Sequence, residues 1–247
     1  MKVLFHPDFY EVYTSDPAAA EGRMEAIVEA IQKSVEFVVP SPATEAEIAL
    51  SHSTQHIQTV KKQWLFPIAA LAAGAAIQTA LAGLNAPSFG LIRPPGHHAS
   101  TGSAWGFCYF NNMAIAFLTL QKQHKINSGY ILDIDMHFGD GTANILKDNN
   151  DIIVHNIETE DRKEFIQEVA DEMAHCKADL IGISAGFDNH VDDWGGVLTT
   201  EDYRHIGQLV CSAAKRNGGG CFGILEGGYN HEVLGGNVLA LINGLTD

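Results

Sequence analysis

Seven short runs rich in β-branched and aromatic residues alternate with longer helix-like segments along the chain. The runs are Lys2–Phe5, Val35–Val39, Phe89–Ile92, Tyr130–Ile134, Ile152–His155, Leu180–Ser184 and Phe222–Leu225. The helix-like segments include Ala20–Lys33, Pro67–Ala82, Asn112–Lys125, Asp161–Cys176, Thr200–Arg216 and Glu232–Asn243, and Thr44–Glu47 has the capping-box pattern that begins another. This alternation indicates βαβ units. The predicted fold is a three-layer α/β/α structure with a mostly parallel central sheet.

The 247 residues could form one large α/β domain or two small ones. The sequence contains no break in composition, linker, repeat or low-complexity tract. We therefore expect a single domain over residues 1–247.

The longest apolar stretch is Leu65–Leu84, which has the length of a membrane span. It is rich in Ala and Gly, has Pro67 near its start and contains Gln78 and Thr79. These features favour a helix buried in the core of an α/β protein.

The cysteines and the N-terminus help to predict the cellular compartment. The four cysteines, Cys108, Cys176, Cys211 and Cys221, form no CxxC pair, which argues against a structural zinc knot or a disulfide framework. The apolar N-terminal run is too short for a signal peptide, because Pro7 soon interrupts it. We expect a cytoplasmic protein in a reducing environment.

The formal net charge of −15 argues against nucleic acid as a direct ligand, since binding to phosphates needs clustered Lys and Arg. A cationic substrate, such as a lysine-rich tail or a polyamine, would be attracted. Many soluble cytoplasmic proteins are simply acidic, so the charge alone does not identify the substrate.

Polar residues follow four of the predicted strands. The clusters are Arg93–His98, Asp133–Asp140, Gly186–Asp188 and Glu226–Tyr229. In open parallel sheets, ligands bind outside the carboxyl ends of the strands. The four clusters therefore predict one active site.

Three of these side chains have the chemistry of a catalytic metal site. Asp135 and His137 alternate along what we expect to be an extended segment, so both would point to the same face. With Asp188 they would give an oxygen–nitrogen–oxygen ligand set with open positions. A DxH pair without such context is more often a capping or core pair.

The remaining polar residues supply candidates for proton transfer and charge stabilisation. His97 and His98 could act as general base and general acid, and Asp133 and Asp140 could each orient one imidazole. Tyr229 could donate a hydrogen bond to an oxyanion. In the absence of the other clusters, the alternatives would be turn histidines and a surface tyrosine.

Other residues and motifs have weaker or no assignments. Phe107 could wall a substrate slot, whereas Cys108 has no free base partner and is not interpreted as a nucleophile. The motifs HExxH, GxSxG and GxxxxGK[ST] are absent. Five further histidines are interpreted as solvated or packed: His52, His56, His124, His175 and His205.

Taken together, five ordered motifs resemble the histone deacetylase superfamily, which includes bacterial deacetylase-like amidohydrolases, acetylpolyamine amidohydrolases and acetoin-utilisation proteins. They are RPPGHHA (Arg93–Ala99), GFCYFNN (Gly106–Asn112), DIDMHFGDGT (Asp133–Thr142), SAGFDNH (Ser184–His190) and LEGGYN (Leu225–Asn230). The resemblance runs from about Ala20 to the C-terminus, and the Phe187-Asp188 and Leu225-Glu226 pairs are more similar to the class II branch.

The resemblance implies an arginase-like α/β fold and hydrolysis of an acyl-amide by a metal-activated water, the metal being Zn²⁺ or Fe²⁺. The matching positions are Asp135, His137 and Asp188 for metal ligation, His97 and His98 for the histidine pair, Asp133 and Asp140 for their carboxylate partners, and Tyr229 for polarising the substrate carbonyl. Phe107, with Gly106 before it, matches one aromatic wall of an acyl-lysine tunnel.

Two loops are shorter than the family pattern. Asn156–Thr159 leads directly into a helix-like segment where a Pro/Gly-rich loop with a second aromatic wall is usual, and the loop before Pro67 is reduced to Gln63–Phe66. The second wall and the family's K⁺ site therefore have no clear counterpart. The short rim predicts a shallow tunnel, or one that a partner subunit completes in a homo-oligomer.

The leading hypothesis is a zinc-dependent deacylase acting on an acyl-lysine or an acetylated polyamine. A non-catalytic protein that binds acyl groups or cations is one alternative. A binuclear ureohydrolase is another, but its usual DxHxD motif is interrupted here by Phe138-Gly139 before Asp140.

Overall fold

The computed structural model describes all residues from Met1 to Asp247 and contains one sheet of seven parallel strands. The strands are β1 (Lys2–Leu4), β2 (Glu36–Val38), β3 (Ser88–Gly90), β4 (Gly129–Asp133), β5 (Ile152–Asn156), β6 (Leu180–Ala185) and β7 (Gly220–Leu225). Their spatial order is β2-β1-β3-β7-β6-β4-β5. All seven predicted runs form strands, and the predicted parallel sheet is confirmed.

Helices cover both faces of the sheet. They are α1 (Arg23–Ile31), α2 (Glu45–Ile48), α3 (Thr54–Lys62), α4 (Phe66–Gly83), α5 (Asn112–Lys122), α6 (Asp140–Leu146), α7 (Arg162–His175), α8 (Thr200–Asn217) and α9 (His231–Thr246). Helices α1, α7, α8 and α9 pack together on one face, and α4 and α5 with the shorter helices cover the other. This is the predicted three-layer arrangement.

The apolar segment Leu65–Leu84 forms α4, which packs against strands β1, β3 and β7. Phe66–Gly83 is the single helix long and apolar enough to cross a membrane, and 72% of it is buried inside the protein. Burial against the sheet accounts for its apolar composition, so the interpretation as a core helix agrees with the structure.

Helix ends differ from the sequence pattern where local turns intervene. Helix α1 begins at Arg23 rather than Ala20, because a 3₁₀ turn over Pro17–Ala19 precedes it. Helix α5 ends at Lys122, and His124 after it has a positive φ of 54°. The capping box at Thr44 is present, with reciprocal bonds between Thr44 and Glu47.

Candidate metal centre and active site

The four polar clusters meet because they follow four adjacent strands. Strands β3, β7, β6 and β4 are neighbours in the sheet, and all are parallel. Their carboxyl ends therefore deliver the four loops to one edge of the sheet, the carboxyl edge. Sequence order hides this proximity, since β4 and β7 lie far apart in the chain.

Asp135, His137 and Asp188 converge so that one ligand atom from each lies within 4.8 Å of the others. His137 Nδ1 lies 3.2 Å from Asp135 Oδ1 and 3.3 Å from Asp188 Oδ2. The expectation that Asp135 and His137 lie on an extended segment is wrong. Strand β4 ends at Asp133 and the chain then bends, with Asp135 Oδ1 accepting a hydrogen bond from the His137 backbone N–H at 3.0 Å.

This cluster has the features of a site for a divalent cation. Asp188 is fully buried, and its Oδ2 atom has no hydrogen-bond partner. Gly227 makes room for the carboxylates, since a Cβ there would lie 2.5 Å from Asp135 Oδ2 and 2.6 Å from Asp188 Oδ2. Two carboxylates and one imidazole with open positions suit catalytic zinc, and similar sets bind ferrous iron.

The pKa shifts in this cluster also favour a bound cation. Burial and the charge of Asp135 raise the pKa of Asp188 to about 7. The neighbouring carboxylates of Asp135 and Asp188 raise the pKa of His137 to about 10. Asp188 therefore binds a proton more readily than an ordinary carboxylate, and a metal cation at this site would compete with that proton.

His97 is fully enclosed and paired with a carboxylate. Its Nδ1 lies 3.1 Å from Asp133 Oδ2, and its Nε2 faces the metal cluster, 3.8 Å from Asp135 Oδ1. Asp133 also accepts a hydrogen bond from the Asp135 backbone N–H at 3.1 Å. The carboxylate therefore orients the imidazole and the metal-site loop together.

His98 has a different environment. Its Nδ1 lies 2.8 Å from Asp140 Oδ1, at the first turn of α6. The Trp105 indole stacks on the His98 ring with centroids 3.7 Å apart and donates Nε1–H to Asp140 at 3.0–3.1 Å. Because Asp140 is committed to these two groups, it does not extend the metal cluster, which weighs against a binuclear ureohydrolase site.

The two histidines differ in protonation. Burial lowers the pKa of His97, but Asp135 and Asp133 outweigh it and hold that pKa well above its ordinary value. Burial and repulsion by His97 lower the pKa of His98 to about 4. At neutral pH the pair therefore holds one protonated and one neutral imidazole, the combination that general acid–base catalysis needs.

Tyr229 lies on the loop after β7, and burial and Asp135 raise the pKa of its phenol. The phenol therefore stays protonated at neutral pH and can donate a hydrogen bond. Arg23 stabilises this loop, because its buried guanidinium donates hydrogen bonds to the carbonyls of Gly228 at 2.8 Å and Glu226 at 2.7 Å. It also lies 5.6 Å from the centroid of the Tyr229 ring.

These groups surround one small cavity of about 140 Å³. Its lining comprises Pro95, His97, His98, Trp105, Gly106, Phe107, His137, Trp194, Gly227 and Tyr229. Gly106 has a φ of 58°, and a Cβ there would lie 2.4 Å from His98 Cδ2. Phe107, also with a positive φ of 67°, turns its ring edge-on to Tyr229 at 5.9 Å.

Two site residues had no role assigned from the sequence. Trp194 stacks on Tyr229 with centroids 4.0 Å apart and forms a wall where none was expected. Glu226 is fully buried, and its Oε2 accepts hydrogen bonds from the backbone N–H groups of Gly96 at 2.6 Å and His97 at 3.3 Å. The motifs LEGGYN and VDDWGG contain these residues, but only their contacts show what they do.

Cys108 is not arranged as a nucleophile. It is buried, and burial raises its pKa well above the ordinary value. Its thiol donates only a long contact of 3.5 Å to the carbonyl of Gly106.

The rim around the cavity is short, as the sequence indicated. Helix α7 begins at Arg162, and only five residues separate it from the end of β5 at Asn156. The reduced loop before α4 leaves Trp64 89% exposed.

Comparison with known proteins identifies the family to which the chain belongs. The family model for the histone deacetylase domain matches residues 18–165 and 155–245. The chain belongs to the histone deacetylase domain family. The match includes every site residue described above.

Two deacetylases of this family align with most of the chain. A probable deacetylase of Methanothermobacter thermautotrophicus is 28% identical, covering 98% of this chain and 90% of its own length. A probable deacetylase of Archaeoglobus fulgidus is 30% identical over 92% of this chain and 77% of its own length. The first alignment runs over 302 positions, more than the 247 residues of this chain, and so contains gaps.

One further relative and one solved structure are informative. The mouse polyamine deacetylase HDAC10 is 29% identical over 82% of this chain and 40% of its own length. The crystal structure of the HDA15 HD domain superposes with a TM-score of 0.87 at 23% identity, covering 99% of this chain and 89% of that one. This likeness confirms the predicted arginase/deacetylase-like α/β fold.

Proposed function

We propose that the protein is a metal-dependent amidohydrolase that removes an acyl group, most simply acetyl, from an acylated amine. The observation that carries the proposal is the convergence of three kinds of group on one cavity. A metal-ligand set, a protonated and a neutral histidine, and a protonated phenol all line it or lie directly beneath it.

Asp135, His137 and Asp188 would hold the ion, and zinc suits this ligand set, with ferrous iron as the alternative. When bound, such an ion polarises the substrate carbonyl and lowers the pKa of water. The small size of the cavity limits the acyl group that can enter, and acetyl is the smallest common one.

The chain's own groups supply the remaining steps. The histidine pair takes a proton from the attacking water and returns one to the departing amine nitrogen. Asp133 and Asp140 keep the two imidazoles oriented during both transfers. Tyr229 donates its phenolic hydrogen to the oxyanion that forms when the carbonyl carbon becomes tetrahedral.

The charge around the site supports a cationic amine substrate. The loops at the carboxyl edge carry exposed carboxylates at Asp8, Glu11, Glu21, Glu158, Glu160, Asp161 and Asp192. Arg93 is the only Lys or Arg in the loops that directly follow strands, and it is buried. This charge would attract a lysine-rich peptide or a polyamine, and the relatives named as polyamine deacetylases are consistent with the second.

The apolar rim also supports self-association. All the large exposed hydrophobic residues except Ile153 lie at the carboxyl edge: Val12, Val39, Trp64, Trp105, Met136, Phe138, Val191 and Trp194. Light scattering over a range of protein concentrations tests whether a homo-oligomer forms.

The decisive experiment measures amine release by zinc-loaded protein from three substrates: an acetyl-lysine peptide, an acetylated polyamine and a small acyl-amide. Asp188→Ala runs in parallel, with Asp148→Ala as a control because Asp148 is exposed and precedes β5, at the opposite edge of the sheet. Turnover that Asp148→Ala retains and Asp188→Ala loses would support the proposal. One zinc per chain with no turnover of any substrate would contradict it and favour a non-catalytic binding protein.

A further inference from the structure

A second reactive cluster lies at the opposite edge of the sheet from the candidate metal centre. Cys221 is the second residue of β7, and Cys211 lies on α8, which packs against β7. Both cysteines are free and almost fully buried. Together with Lys215 they line a cavity of about 200 Å³, closed on its other side by the turn after α4. The cavity is large enough for a molecule the size of water or peroxide.

The two thiols and the Lys215 side chain line this same cavity, so one small molecule inside it could reach both sulfurs. Interaction with Cys221 and with the positively charged Lys215 lowers the pKa of the Cys211 thiol to about 6. Interaction with Cys211 and burial raise the pKa of Cys221. Of the two thiols, Cys211 is therefore the one that ionises more readily.

We propose that Cys211 and Cys221 form an oxidisable dithiol, which hydrogen peroxide entering the adjacent cavity converts into an intramolecular disulfide. The Cys211 thiolate attacks one peroxide oxygen, the O–O bond breaks, and the released hydroxide takes up a proton to become water. Cys211 is then a sulfenic acid. The sulfur of Cys221 displaces the hydroxyl group from Cys211, its proton leaves with that group as water, and the S–S bond forms. The two thiols lose two electrons and the peroxide gains them.

The other cysteines lack this arrangement. Burial raises the pKa of Cys176 to about 11, and burial holds the pKa of Cys108 well above its ordinary value. Neither has a second thiol among the groups that influence it. Cys211 should therefore react before either of them.

The products can be separated by trypsin. Cleavage after Arg204, Lys215 and Arg216 places Cys211 alone in peptide 205–215 and Cys221 alone in peptide 217–247. Full-length protein is treated with hydrogen peroxide, blocked with iodoacetamide and digested without reductant. The expected product is these two peptides joined by a disulfide that dithiothreitol releases. Oxidation of Cys108 or Cys176 before Cys211, or no linked peptide once Cys211 is oxidised, would overturn the proposal.

Variants assign the two roles. Cys221→Ser should stop at the sulfenic acid, which dimedone labels on Cys211, and Cys211→Ser should give neither dimedone labelling nor a disulfide. Lys215→Gln should slow alkylation of Cys211 at pH 7 by roughly tenfold, since less thiolate is present. Cys176→Ser is the matched control and should behave as the wild type. Dimedone labelling of Cys221 in Cys211→Ser, or an unchanged alkylation rate in Lys215→Gln, would contradict these assignments.

Discussion

The carboxylate of Asp193 accepts a hydrogen bond from the backbone N–H of Tyr229 over 2.8 Å. The same Oδ2 atom accepts from the N–H of Asn230 at 2.7 Å, and Oδ1 accepts from the N–H of Trp194 at 2.8 Å. One side chain therefore ties the loop after β6 to the loop after β7. It fixes the backbone from which the Tyr229 phenol reaches the cavity, without lining the cavity itself.

Asp193→Ala should consequently lower kcat by roughly 10-fold to 100-fold, because small displacements of a positioned group are costly to catalysis. Zinc stoichiometry should stay at that of the wild type, since the three ligands are untouched. Asp193→Asn should recover part of the rate, because an amide oxygen can still accept from Tyr229. Steady-state kinetics with metal analysis tests this, and Asp148→Ala, at an exposed position before β5, is the control. Loss of zinc in Asp193→Ala would instead indicate a structural role for the carboxylate.

Tyr229→Phe removes the phenolic hydrogen and keeps the ring that stacks on Trp194 and packs near Phe107. We expect kcat to fall by about 10²–10³, the cost typical of one lost oxyanion donor. Zinc should still raise the melting temperature as it does in the wild type, whereas Asp188→Ala should show no zinc-dependent shift. Equal loss of the zinc effect in both variants would contradict this division of roles.

The elements that local sequence determines could be predicted. Strand β6 is a continuous apolar run, as expected for a strand buried on both faces, and the reciprocal bonds of Thr44 and Glu47 depend only on residues three apart. Asp135, His137 and Asp188 could be placed at one edge because parallel strands share their carboxyl ends. The chemistry of these three side chains could be inferred without knowing the conformation of the loop after β4. That loop conformation was the part predicted wrongly.

Features that depend on long-range packing could not be predicted. Trp194 resembles any exposed aromatic residue until the loops after β6 and β7 come together and stack it on Tyr229. Glu226 bonds to the backbone of Gly96 across the β3–β7 boundary, 130 residues away in the chain. The sequence alone does not specify how β3 and β7 align with each other. The role of the Glu226 carboxylate therefore became visible only in three dimensions.

Trp194 should affect substrate binding more than chemistry. Its indole covers one side of Tyr229 at the mouth of the cavity and is half exposed, so it offers an apolar surface to the stem of a bound acyl-amine. Trp194→Ala should raise KM for an acetyl-lysine peptide about threefold to tenfold, since an aromatic contact contributes roughly 0.5–1.5 kcal/mol. The KM of Trp194→Phe should lie between those of the wild type and Trp194→Ala. A fall in kcat at unchanged KM would show that the indole positions Tyr229 instead.

His52 should make the protein sensitive to acid. In the folded state its ring is buried, with Nδ1 2.9 Å from the Ser100 carbonyl and Nε2 accepting from the Asn111 N–H at 2.8 Å. Burial and the neighbouring His56 lower the pKa of His52 from 6.5 to about 3. Between these values the unfolded chain binds a proton at His52 that the folded protein does not. The free energy of unfolding should therefore fall as the pH is lowered through this window.

His52→Gln removes the titrating group and keeps an amide that can donate and accept. The pH dependence of its unfolding free energy between pH 4 and 6 should be shallower than that of the wild type by up to about 1.4 kcal/mol per pH unit, the equivalent of one proton. Guanidinium unfolding of metal-free protein at several pH values measures both slopes, and a uniform loss of stability in the variant leaves the comparison intact. The exposed His205→Gln should retain the wild-type slope. Equal slopes in His52→Gln and the wild type would show that the folded protein accommodates a charged His52.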